Sequence, residues 1–255
     1  MEFLRTVTMT LAAVAVVLGG WYVAYPYGCY ATLLFFLFWG VIASSFIDLK
    51  MFERRCLKRC YLQHGSIVAK LLLSPVAVTI FFLILSFMMA LSAFLAVVDL
   101  PWGVLAYLIL HVVAVTLLYR WLGRLFEGVF KDGYRQLLAR EWAINLTALL
   151  LIGIVFYAAY EGDVPRYILP DLDASIRAAT NSIGSACGPS DTALRFHREI
   201  EAVSWWFMTK ESEMVGSDLL RLGSWILFLL YNSMAVLGIN RFIAQVVYMR
   251  ERGLR

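Results

Sequence analysis

The chain has 255 residues, of which 62% are hydrophobic and 16% charged, with a formal net charge of +4. Soluble domains carry about 25% charged residues, so the chain lies well outside the composition of an ordinary soluble globular domain. The apolar residues are also blocked together, with no charged side chain between Thr6 and Ile47. A helix of about 20 apolar residues crosses a hydrocarbon core while satisfying its own backbone hydrogen bonds. The expectation is an all-α, polytopic membrane protein in a lipid bilayer.

Six charge-free spans are predicted in chain order: Val7–Tyr25, Ala31–Ile47, Leu71–Val98, Val104–Tyr119, Ala143–Tyr160 and Leu222–Ile239. The first is too long for the h-region of a signal peptide, and no small-x-small site follows it, so it reads as a retained span. "YPYGCY" after the first and "DLPWG" after the third supply turn residues between antiparallel neighbours. Ser74-Pro75 marks a kink near the start of the third.

Between the second and third spans lies "ERRCLKRCYLQHG", Glu53–Gly65. Cys56, Cys60 and His64 invite a metal reading. On one helix, however, Cys56 and His64 stand roughly 12 Å apart along the axis, whereas zinc bonds reach only about 2.0–2.3 Å. With Asp48 as a cap, residues 49–64 read instead as a separate amphipathic helix. Its apolar stripe includes the two cysteines, which are candidates for acylation, and Lys50, Arg54, Arg55, Lys58 and Arg59 form a cytoplasmic basic surface. No metal and no cofactor is expected.

The basic residues also orient the chain. With the N-terminus inside, segments 1–6, 48–70, 120–142 and 240–255 carry 16 Lys/Arg and 7 Asp/Glu. The other face carries 6 and 11. N-in/C-in follows, with three domains: 1–160 with five spans and basic loops 48–70 and 120–142; 161–221, a helical extracytoplasmic domain between spans five and six; and 222–255, the sixth span and a basic tail.

Within the outer domain, 173–187 reads as a short helix. Residues 191–210 read as a longer one, with Ser190 or Asp191 as its cap. On that longer helix Phe196, Ile200, Val203 and Phe207 share an apolar face. Trp205, Trp206 and Phe207 are candidate contacts with a partner or the membrane interface. His197, beside Arg198, Glu199 and Glu201, reads as part of a solvated face. Cys29 and Cys187 fall on the same, outer side, where an oxidising compartment permits a disulfide; two free buried cysteines are the alternative.

Ser86, His111 and Asn232 lie midway along spans three, four and six and form a candidate midplane polar layer. An ionisable group there is a functional candidate by default, although no acid accompanies His111 within the spans. No nucleophile elbow, P-loop, HExxH or GxGxxG occurs. Catalytic residues are therefore not assigned, and nucleic acid is not an expected partner. The sequence points to a non-enzymatic subunit or scaffold of a secretion, conjugation or envelope assembly with protein partners. A bacterial inner membrane is the expected location, and a small channel or transporter is the alternative.

Overall fold

A computed structural model describes residues 1–60, 75–98, 103–161, 164–211 and 218–253. Helix α1 (Glu2–Val14) passes through a π-helical turn (Ala15–Gly19) into α2 (Gly20–Ala24). A single 3-10 turn (Cys29–Ala31) then leads into α3 (Thr32–Cys60). The remaining helices are α4 (Pro75–Val97), α5 (Gly103–Leu125), α6 (Asp132–Glu161), α7 (Leu172–Asn181), α8 (Gly188–Trp206) and α9 (Asp218–Arg252). A π-helical segment (Phe207–Glu211) extends α8. Among the described residues there is no strand.

Among the described residues, five stretches are long and apolar enough to cross a membrane: Glu2–Ala24, Cys29–Glu53, Val78–Val97, Tyr107–Leu125 and Asp132–Ile154. The chain is thus an integral membrane protein by helix length and composition. These helices bury only a third to under a half of their apolar windows inside the protein. Large side chains such as Leu33, Phe81, Leu110 and Leu149 face outward instead. That is affordable only where the solvent is itself apolar.

Two expected boundaries move. Asp48 does not begin a helix, because α3 runs unbroken through it and joins the second span to the basic stretch. Nothing in residues 46–50 breaks a helix, so the hydrogen-bond ladder continues out of the apolar run. Likewise α9 does not stop at Ile239 but carries Asn240, Arg241 and Gln245 in register onto the bundle.

Helix α9 is the central element, packing against α3, α4, α6 and α1. Its closest crossing is with α4, where small residues let the two backbones approach. A Cβ placed on Gly238 would stand 2.7 Å from the Met89 carbonyl oxygen, and Ala90 and Ala93 opposite are wholly buried. The core around this crossing is aromatic. Phe38 stacks on Phe242 at 4.7 Å and meets Phe94 at 5.1 Å. Phe94 in turn contacts Trp21 at 4.9 Å.

At one end of the bundle α7 and α8 form a helical cap. Asp171 caps α7 by accepting from the Ala174 amide at 2.8 Å. Helix α8 starts three residues earlier than expected, at Gly188, with Pro189 in its first turn. Asp191 therefore lies inside the helix. Its Oδ1 accepts from the Ser185 amide at 3.0 Å, and its Oδ2 accepts from Arg195 Nε at 2.8 Å. These donors hold the Asp191 carboxyl below its ordinary pKa, the backbone amide contributing most.

Candidate functional site: a buried charge cluster and its neighbours

Among the described residues, three groups of polar side chains spaced along the bundle each join three helices. The first is the midplane. Asn240 Nδ2 donates to the Ile144 carbonyl at 2.7 Å, which only an amino group can do, so Asn240 Oδ1 points the other way. That oxygen lies 3.1 Å from His111 Nε2 and 3.0 Å from the Thr147 hydroxyl. His111 therefore carries its proton on Nε2, as assigned from the network. Three helices, α5, α6 and α9, are pinned by this one amide.

Ser86 belongs to a different set. It accepts from Trp39 Nε1 at 3.1 Å and donates to the Leu83 carbonyl at 3.0 Å. Ser86 and His111 are both buried, but no described hydrogen bond joins them. The side chain of Asn232 lies outside the described residues. The amide that partners His111 is Asn240, two turns further along the same helix.

The second place is one to two turns nearer the basic end. Arg140 is completely buried. Its Nη1 donates to Gln245 Oε1 at 2.6 Å, and its Nη2 donates to the Ser45 carbonyl at 2.7 Å and to Glu141 Oε1 at 2.9 Å. Arg241 grips the same carboxylate, with Nη1 to Oε1 at 3.1 Å and Nη2 to Oε2 at 2.9 Å. It also donates to Ser45 Oγ at 3.2 Å. Glu141 is thus one carboxylate between two buried guanidiniums, which leaves an excess positive charge inside the protein.

Aromatic faces and a backbone dipole absorb that excess. Arg241 lies 3.8 Å from the centroid of Phe46, and Arg140 lies 5.0 Å from that of Tyr248. Arginine suits such a site because its guanidinium is planar, weakly hydrated and multidentate. The cluster ties α3, α6 and α9 together. Arg140 and Arg241, expected from the sequence as loop charges, instead both point into the bundle. One signal was available in the sequence. Arg140-Glu141 and Asn240-Arg241 each abut a charge-free run, and Gln245 follows Arg241 by one helical turn.

The third place is the end of the bundle itself. Arg120 Nε donates to Glu251 Oε1 at 3.0 Å, and the Thr6 hydroxyl donates to the same oxygen at 2.9 Å. This joins α5, α9 and α1. On α3, Lys50 pairs with Glu53 at 2.7 Å. The side chains of Arg54, Arg55, Lys58 and Arg59, together with Cys56, Cys60 and His64, lie outside the described residues. Among the described residues no group of three His, Cys, Asp or Glu side chains is placed to hold a metal ion.

The cap has its own junctions. Cys29 and Cys187 form a disulfide, with their Cα atoms 4.8 Å apart. Beside it the Ala186 amide donates to the Pro26 carbonyl at 3.1 Å, and the Ser185 hydroxyl donates to the Tyr25 carbonyl. Leu194 and Ile183 pack with Leu95 of α4, seating the cap on the bundle. Trp205 meets Phe228 of α9 edge-on at 5.3 Å, and Trp206 donates to the Pro170 carbonyl at 3.3 Å. Phe207 touches Trp206. All three aromatic residues are half-buried within the chain, whereas Phe196 is 61% exposed.

His197 does not lie on a solvated face. It is only 5% exposed, next to the Arg198–Glu201 ion pair at 2.9 Å. Burial disfavours the imidazolium and lowers the His197 pKa, with Glu201 opposing that shift and Arg198 adding to it.

Comparison with protein-family models, with curated proteins and with solved structures finds no match to this chain.

Proposed function

We infer that the protein is a non-enzymatic integral membrane scaffold, a subunit of a larger envelope, secretion or conjugation assembly that holds its cap for a protein partner. The observation that carries this reading is how the polar side chains are used. The described midplane and buried-charge groups (His111, Asn240, Arg140, Glu141 and Arg241) are spent on one another and on backbone carbonyls. A transport site needs polar groups that exchange partners with a passing solute. Here they join helices instead, while a disulfide fixes the cap to the bundle.

The topology that goes with this reading has six spans. Leu222–Ile239 is free of charge and lies on α9, giving the sixth. Both termini then face the cytoplasm, and the cap faces the opposite side of a bacterial inner membrane. The buried cluster weakens this charge bias only slightly. Without Arg140, Arg241 and Glu141 the inner segments still carry 14 Lys/Arg against 6 Asp/Glu.

A photo-reactive amino acid at Phe196, the most exposed aromatic position of α8, tests the proposal in living cells. A discrete product between this chain and a second protein is expected. A chain that remains an uncrosslinked monomer from position 196 and from its neighbours on α8 overturns the scaffold reading. So does solute flux in liposomes containing this chain alone, which would make it a small channel or transporter.

A further inference from the structure

At the basic end, where the charge-free runs of α1, α5 and α9 stop, a cleft of about 290 Å³ opens between the start of α1, the end of α5, the start of α6 and the end of α9. Three arginines and three glutamates line it: Arg120, Arg124, Arg135, Glu2, Glu127 and Glu251. Their charges balance, but they are not equally engaged. Arg120 and Glu251 are spent on each other and on Thr6. Arg135 is held in the cleft wall with 9% of its side chain exposed, yet its ion-pair partners, Glu127 and Asp132, are 70% and 85% exposed. Arg124 and Glu2 make no ion pair among the described residues. The cleft therefore offers one unspent cation, one buried cation held by wet and weakly bound acids, and one unspent carboxylate.

Exposed apolar residues within two positions of the lining residues indicate which kind of molecule reaches it. Leu4, Trp121, Leu125 and Val129 are all more than half exposed around the same end of the bundle. Acyl chains on such a surface would bring a headgroup to the depth at which the cleft opens, and tryptophan is at home at that level. A headgroup with a phosphodiester and a primary ammonium matches the charges: the phosphate against Arg124 and Arg135, the ammonium against Glu2. A purely anionic headgroup leaves the carboxylate unanswered and repelled. A quaternary ammonium has no N–H to donate to it.

We propose that this cleft is a binding site for the headgroup of an aminophospholipid of the phosphatidylethanolamine type, held by Arg124 and Arg135 at the phosphate and Glu2 at the ammonium. The site depends on the membrane-embedded bundle and is independent of the scaffold reading. It stands or falls without reference to any protein partner.

The full chain, purified in a neutral detergent and stripped of lipid, is titrated with phosphatidylethanolamine, phosphatidylglycerol and phosphatidylcholine under native mass spectrometry. Phosphatidylethanolamine is expected to bind about fivefold more tightly than the other two, the return of roughly one partly exposed ion pair. Arg124→Gln weakens all three lipids. Glu2→Gln removes only the preference for phosphatidylethanolamine. Neither residue holds a described ion pair, so both variants fold. Water-soluble glycerophosphoethanolamine is the control for a free ligand. It is expected to compete weakly because it lacks the acyl chains, and full competition by it would overturn the lipid assignment. Equal binding of the three lipids, a preference for phosphatidylglycerol, or silence of both variants would also overturn the proposal.

Discussion

The two ends of this bundle are held by opposite means. At the cap end the chain is joined by a covalent bond between Cys29 and Cys187, by backbone-directed hydrogen bonds from Ser185 and Ala186, and by the apolar contact of Leu194 and Ile183 with Leu95. At the basic end it is joined by charge, with Arg140 and Arg241 closing on Glu141, and Arg120 on Glu251. The difference lies in which state each device acts on. A disulfide works chiefly by restricting the unfolded chain, here across 158 positions of sequence. A buried charge cluster acts on the folded state, and every member depends on the others because the protein around them cannot solvate a bare charge.

The contrast is broken most severely at Glu141. Glu141→Gln leaves two buried guanidiniums facing each other without their shared anion, and a loss of about 3–5 kcal/mol of stability is expected. Thermal unfolding in detergent, followed by the near-ultraviolet signal of the tryptophans, measures it. A triple variant carrying Arg140→Met, Glu141→Leu and Arg241→Met is expected to be more stable than the single one, because no charge is then left bare. If the triple variant is the worse of the two, the hydrogen bonds to Ser45 and Gln245 matter more than the charge balance.

Removal of the disulfide ranks second. Cys29→Ser is expected to cost about 2–4 kcal/mol. Local opening of the cap should feel the loss most, because the bond tethers a detached cap to the first turn, whereas the Arg140–Glu141–Arg241 cluster holds the other end of the bundle closed. Hydrogen exchange resolves the two regions. Faster exchange confined to α7 and α8 supports the separation, whereas equal acceleration along α9 would show that both ends unfold as one unit.

These two devices were not equally legible in the sequence. The spans were readable because runs without charge have one physical use, and the cysteine pair was readable as a possibility because both residues fell on the same side. The charge cluster was not. In water an apolar stripe tells which face of a helix is buried, but in lipid both faces are apolar and the stripe disappears. Arg140 and Arg241 then look like ordinary charges bordering a span, and only contact with Ser45 and Gln245 shows that they turn inward. His197 was misread for the related reason that flanking charges, Arg198 and Glu199, made its surroundings look wet. Asn232 drew attention as a central amide, while the amide that pairs with His111 sits beyond the predicted end of that span.

The cap can also be loosened by pH, with a smaller effect than loss of the disulfide. His197 has a lowered pKa in the folded cap because burial opposes its charge. Its neutral form therefore stabilises the cap above the ordinary histidine value of 6.5, and that contribution is lost as pH falls from there through the folded value. Asp191, also lowered, loses its contribution only in a more acidic window below 3.8. Once the intrinsic slowing of amide exchange in acid is divided out, the protection of α8 should consequently fall between neutral and mildly acidic pH, and His197→Gln should flatten that fall. An unchanged profile in the variant would assign the acid sensitivity to other groups.

The smallest effect is expected in the middle, where neither device operates. Thr147→Val removes one hydroxyl from Asn240 Oδ1 and leaves His111 bonded to the same oxygen. Interhelical hydrogen bonds within membranes average about 0.6 kcal/mol, because a hydroxyl released from one partner finds another; that of Thr147 already lies 2.6 Å from the Ala143 carbonyl. A change of this size places the midplane layer as local glue between α5, α6 and α9, with stability set at the two ends. A loss above about 2 kcal/mol, more than such bonds return, would instead make Asn240 the point through which the charged end and the capped end are coupled. In that case Thr147→Val should also accelerate exchange in the cap.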